Sequence, residues 1–247
     1  MRSATVDIET ADGHADAYLT RPDEGDRHPG VLFIMDAFGL RPRIEEMADR
    51  IAARGYAVLA PNLFYRAGRA PVLPFPDMSE EGGRAEFFSH VRPLMGELTA
   101  ERIASDGTAY LDALAEVATE PVAITGYCMG ARLGWRIAAA HPERVAALAG
   151  FHGARLVTDD ADSPHRSAGR LRAEVYFGHA DQDPGNTAEQ IATLDAAMED
   201  AGVVHRSEVY AGARHGYTMA DTPVYDEQAA ERHFAALFDL LDRTLPR

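Results

Sequence analysis

Val122-Ala123-Ile124-Thr125-Gly126-Tyr127-Cys128-Met129-Gly130 joins an apolar run to two glycines with a cysteine between them. The run has the length of a buried strand. From Met129 to about Ala140 the residues read as a helix, ended by His141-Pro142, because the residue before a proline is pushed out of helical geometry. Strand, sharp turn and helix follow one another, with Cys128 at the tip. Glycine suits the two flanking positions because so tight a turn brings the backbones too close for a Cβ. Gly-x-nucleophile-x-Gly at a strand–helix junction is a nucleophile elbow. Here the nucleophile is a cysteine, and it is the only cysteine in the chain.

Upstream, Thr5–Ile8 and Ala15–Thr20 read as a hairpin around Asp12-Gly13. Gly30–Met35 is a continuous apolar run, as expected of a central strand buried on both faces. Ile44, Met47, Ala48, Ile51 and Ala52 recur at helical spacing, and Gly55 closes that helix. Tyr56–Ala60 reads as a strand stopped by Pro61. Residues 66–98 break the pattern with Pro71, Pro74, Pro76, Gly82, Gly83, Pro93 and Gly96. They read as an excursion, a lid or rim, holding a short helix near Arg84–Val91. Helical periodicity returns at Ile103–Val117.

Downstream of the elbow helix, Val145–Gly150 and Ala173–Phe177 read as strands on either side of a polar loop at Thr158–Gly169. Ile191, Leu194 and Met198 mark a helix, and Val203–Tyr210 a late strand. Thr222-Pro223 has the form of a cap with proline at the first helical position. It is expected to open a last helix whose apolar stripe is Ala230, Phe234, Leu237, Phe238 and Leu241. Alternating strands and helices predict an α/β fold: a mostly parallel central sheet with helices on both faces. Ligands then bind at the carboxyl ends of the strands.

The 247 residues suit a single domain over residues 1–247, and 46% hydrophobic residues can fill its core. A net charge of −15 repels phosphate backbones and anionic lipid, so neither nucleic acid nor a membrane is an expected partner. One cysteine excludes an intramolecular disulfide and a cysteine-rich metal site. The free thiol fits a reducing compartment. The N-terminus lacks the apolar stretch of a signal peptide, and no run has the roughly 18 apolar residues of a membrane span. A cytoplasmic protein is expected.

A thiol with an unperturbed pKa of about 8.5 needs a base to serve near neutral pH, and the base needs a third group to orient it. Gly178-His179-Ala180-Asp181-Gln182-Asp183-Pro184 puts two acids after one strand. Asp181, nearer the strand, is the preferred orienting acid, and Asp183 is the alternative. Ala211-Gly212-Ala213-Arg214-His215-Gly216-Tyr217 follows the late strand and offers His215 as base. The order nucleophile, acid, histidine is that of α/β-hydrolases. His152 and His179 also follow strands and can line the site. Backbone N–H groups of Met129 and Ala37 are the expected oxyanion donors.

The elbow, the acid loop and the Arg214-His215-Gly216 loop resemble those of the dienelactone hydrolase family of α/β-hydrolases. The resemblance runs from the Val31 strand to the last helix and includes Ala60-Pro61-Asn62-Leu63. It implies a cofactor-free, metal-free carboxylic ester hydrolase, like a carboxymethylenebutenolidase. Such an enzyme cleaves small esters or lactones through a Cys128-His215-Asp181 triad and a thioester. It further implies a carboxylate after the first central strand that hydrogen-bonds the resting thiol. Asp36 stands there, one methylene shorter than the family's glutamate, and is the expected thiol contact; otherwise it caps the helix beginning near Pro42. The family's type enzyme binds a substrate carboxylate with an arginine four residues after its histidine, where this chain has Met219. Arg66, Arg69 and Arg84 of the excursion are the alternative cations. Two other readings fit the same scaffold: a non-catalytic thiol sensor, and a general carboxylesterase without lactone preference.

Overall fold

The computed structural model describes residues 1–77 and 82–245. A hairpin of β1 (Arg2–Thr10) and β2 (Gly13–Arg21) comes first, followed by β3 (His28–Ile34), α1 (Pro42–Ala52) and β4 (Ala57–Pro61). Then come α2 (Gly83–Gly96), α3 (Ala100–Ala115), β5 (Ala118–Tyr127), α4 (Met129–Ala140) and β6 (Val145–Phe151). A 3₁₀ turn (Pro164–Arg170), β7 (Glu174–Gln182), α5 (Ala188–Asp200), β8 (His205–Arg214) and α6 (Glu227–Thr244) complete the fold.

One eight-stranded sheet results, ordered β1-β2-β4-β3-β5-β6-β7-β8. β1, β2 and β4 pair antiparallel, and every pairing from β4 through β3 to β8 is parallel. The chain leaves β3 for β4 on one side and returns as β5 on the other. That reversal opens a crevice at the carboxyl ends of β3 and β5. The central strands are buried over nearly all of their apolar runs, as strands covered on both faces require. Helices cover both faces. α1 turns Ile44, Met47, Ala48, Ile51 and Ala52 inward, the stripe its spacing predicts. The close approach of α3 and α4 depends on Gly107, where a Cβ would lie 3.0 Å from Ile137.

Four boundaries differ from those read in the sequence. The hairpin turn is Ala11-Asp12, with Thr10 opposite Gly13, so the strands run longer than their apolar cores. α2 continues past Val91 to Gly96 with Pro93 inside it; the proline gives no N–H to the preceding turn, and the helix ends three residues later. β7 extends beyond Phe177 to Gln182. Finally, Thr222-Pro223 does not open the last helix. The Thr222 hydroxyl turns back to donate to the Met219 carbonyl at 2.9 Å. Asp226 caps α6 instead, accepting from the Ala229 N–H at 3.0 Å.

Candidate active site

β5 ends in Tyr127, and Cys128 takes φ 55°, ψ −117°, a conformation side chains rarely adopt. Sterics close the elbow around it. A Cβ on Gly126 would lie 2.3 Å from the Gly130 carbonyl oxygen, and one on Gly130 would lie 2.3 Å from that of Ile34. Hydrogen bonds then hold the strained residue: the Cys128 N–H donates to Phe151 O at 3.1 Å, and Cys128 O accepts from Ala154 N–H at 3.2 Å. Strain of this kind persists only where the surroundings over-determine it.

His215 follows β8 and reaches back over the elbow. Its Nε2 lies 3.1 Å from Cys128 Sγ. Its Nδ1–H donates to Asp183 Oδ2 at 2.6 Å. The Asp183 carboxylate is buried, and its Oδ1 accepts the Gly185 N–H at 2.9 Å, which fixes its plane. The sequence preference for Asp181 as the histidine's partner is corrected. β7 runs through Asp181 with a bulge between Ala180 and Gln182. Asp181 therefore still faces β8, accepting the Gly212 N–H at 2.8 Å. Asp183 is the first acid beyond the strand. Burial works against a charged His215, yet the sulfur of Cys128 and the carboxylate of Asp183 outweigh it and raise the ring to about 10. His215 is thus held toward its charged form beside the Cys128 sulfur.

Asp36, Ala37, Phe38, Arg84, Phe88, Cys128, His152, His215, Gly216, Met219, Thr222 and Val224 line a cavity here. It holds only about 30 Å³, room for roughly one water. Phe38 is in ring contact with Phe75, Phe87 and Phe88, so α2 roofs the cavity with aromatic side chains. Arg84 of α2 lies over the Phe88 ring and is the one arginine in the wall; it has no acidic partner among the described residues. Arg66 and Arg69 lie elsewhere, paired with Asp106 and Asp7. A larger groove of about 640 Å³ between β1 and α3 contains none of the catalytic candidates.

The family model for the dienelactone hydrolase family matches residues 15–245. The chain belongs to the dienelactone hydrolase family. It is 30% identical over 240 residues to a protein of Methylorubrum extorquens AM1 named "Putative carboxymethylenebutenolidase", covering 95% of this chain and 78% of that one. It is 27% identical over 240 residues to the carboxymethylenebutenolidase of Pseudomonas sp. strain P51, covering 95% and 92%. Among solved structures, the "Putative Dienelactone Hydrolase" of Klebsiella pneumoniae superimposes with a TM-score of 0.86 at 22% identity, covering 98% of each chain. That likeness establishes the fold. Membership makes the chain a hydrolase.

This dienelactone hydrolase family member departs from expectation at Asp36. The carboxylate makes no hydrogen bond to Cys128, and it does not cap α1. Arg41 takes it in a bidentate pair, Nη1 to Oδ1 at 2.7 Å and Nη2 to Oδ2 at 3.1 Å, while the Phe38 N–H donates to Oδ1 at 2.9 Å. Burial pushes the Asp36 carboxyl up against the pull of Arg41. A shorter side chain and a nearby guanidinium together turn the charge away from the thiol. The Ala37 N–H enters no hydrogen bond among the described residues, and Ala37 lines the cavity. Met129 opens α4, where the first N–H groups have no helical acceptor.

His152 does line the cavity, 5.3 Å from the His215 ring and hydrogen-bonded through Nε2 to Thr218 at 2.8 Å. Burial holds it well below the ordinary histidine range, so it is neutral. His179 does not line the cavity. It is buried between Asn186 and Ser207 and pushed down to about 4 by burial. Sequence reading missed Arg41 and Asp221. Their signal is only that an arginine precedes Pro42, since their meeting spans 180 positions. Among the described residues no cluster of three or more His, Cys, Asp or Glu is placed for a metal, and no helix is long and apolar enough to cross a membrane.

Proposed function

We propose that this chain hydrolyses small carboxylic esters or lactones through a Cys128-His215-Asp183 triad and a thioester intermediate. The observation that carries the proposal is the 3.1 Å contact of His215 Nε2 with Cys128 Sγ, backed by the 2.6 Å bond from Nδ1 to Asp183. A thiolate is the nucleophilic form of cysteine, and His215 Nε2 at this distance is placed to take the thiol proton.

The thiolate attacks the carbonyl carbon, forming a C–S bond while the C=O π electrons move to oxygen. The N–H groups of Ala37 and Met129 stabilise that oxyanion, and one such donor is worth about 10²–10³ in rate. The intermediate collapses, the C–O bond breaks, and the imidazolium of His215 gives its proton to the departing alkoxide. Neutral His215 then takes a proton from water as the water attacks the thioester carbon. The second collapse expels the Cys128 thiolate and leaves the acid. Asp183 keeps His215 in the tautomer these steps need. An amide is the poorer substrate, because the thiolate leaves more readily than an amine and returns the starting material.

Aromatic walls and Arg84 in the lining favour a flat, apolar acyl group that carries an anionic end. That feature supports a lactone or unsaturated ester over a bulky ester. The free thiol the reaction requires supports a cytoplasmic location. The test is hydrolysis of p-nitrophenyl acetate and small unsaturated lactones by the wild-type protein beside Cys128→Ala. Turnover in both proteins, or in neither, defeats the proposal.

A further inference from the structure

Arg41 reaches in two directions. Besides Asp36 it holds Asp221, Nε to Oδ2 at 2.6 Å and Nη2 to Oδ1 at 3.2 Å. Arg41 and Asp36 are almost wholly buried, with side chains 5% and 4% exposed, while Asp221 keeps 28%. Asp36 belongs to the loop leaving β3, which presents Ala37 to the cavity. Asp221 belongs to the run of turns after His215, which presents Gly216, Met219 and Thr222 to the same cavity. Arg43 adds a second grip on that run, donating to Thr218 O at 2.8 Å. The two walls have no strand pairing in common: β3 and β8 lie four places apart in the sheet.

We propose that Arg41 is a positioning residue that locks the oxyanion loop to the histidine loop through the Asp36–Arg41–Asp221 chain. The inference rests on the function proposed above. A planar guanidinium with five donors fits two carboxylates at fixed angles, which a lysine cannot do. Relative placement of the Ala37 N–H and the His215 ring matters in the transition state, where a misplacement of about 1 Å can cost about 10² in rate. Substrate binding alone is less sensitive to it.

Removing Arg41 strands a buried carboxylate and risks the fold, so Asp221→Asn is the first variant, leaving the Asp36 pair intact. The expected result is a kcat lowered about tenfold with KM within about twofold. Alkylation of Cys128 by iodoacetamide keeps its wild-type rate, because the thiol and His215 still touch. Asp221→Glu, which retains the charge, recovers most of kcat. Amide exchange read by mass spectrometry accelerates in residues 36–41 as well as 215–222, and not in β5 or α4. Unchanged kcat, an Asp221→Glu protein as slow as Asp221→Asn, or unchanged exchange in residues 36–41 each overturns the lock. If the wild-type protein hydrolyses no ester, the proposed function fails, and the exchange comparison still decides the lock by itself.

Discussion

Cys128, His215 and Asp183 meet only because each is the first reactive side chain past the end of its strand. Cys128→Ala should abolish turnover, and His215→Ala should lose nearly as much, because members of a triad act as a unit. Asp183→Asn should lower kcat by about 10³–10⁴ by freeing the wrong tautomer, whereas Asp181→Asn should stay within a few-fold of wild type. Steady-state rates of the two asparagine variants separate the two acids. An NMR titration should find the His215 ring protonated to about pH 10, with a lower midpoint in Cys128→Ala, since the sulfur is the largest influence raising it. A histidine held above its unfolded value of about 6.5 contributes stability fully below that pH and loses it as pH rises toward 10. The melting-temperature gap between wild type and His215→Gln should therefore shrink between pH 6.5 and 10.

At the scale of elements, the elbow and the α2 roof set what the site can do. Gly130→Ala places a methyl against the Ile34 carbonyl oxygen and should yield little folded protein, visible as a lost cooperative melt. Phe88→Ala should leave the core intact, widen the cavity, and raise kcat/KM for bulkier esters relative to acetate. The elbow was legible in the sequence because its signal is local: an apolar run, two glycines that sterics demand and a nucleophile between them. The His215 loop was legible for the same reason, following a strand and bounded by glycine. Asp181 was preferred over Asp183 because the apolar run stops at Phe177, whereas β7 continues through polar residues that β8 pairs. Asp36 shows the opposite limit. Its position was plain, but its partner Arg41 could not be known without the loop's curvature. Thr222-Pro223 had the form of a cap, yet its hydroxyl closes a turn in the histidine loop.

The whole molecule carries a net charge of −15, and Arg84 is a local exception in the cavity wall. A field of that sign slows the approach of anions, and salt screens it over about 10 Å at 0.1 M. Raising ionic strength should therefore increase kcat/KM for an anionic ester while leaving a neutral one nearly constant. The sheet order explains why the reactive groups share one edge: parallel strands from β4 to β8 end on the same side, and the reversal around β3 leaves a crevice there. That much of the architecture was readable from alternating periodicities. The contacts spanning it were not, since the Arg41–Asp221 pair joins positions 180 residues apart.

The central claim is that Cys128 carries the acyl group. The measurement that bears on it most directly is mass spectrometry of the protein quenched in acid within the first turnovers of p-nitrophenyl acetate. One acetyl group on the peptide containing Cys128, decaying as acetate is released and absent from Cys128→Ala, is the predicted result. Turnover with no acyl group on that peptide, or with the same rate in Cys128→Ala, would contradict it.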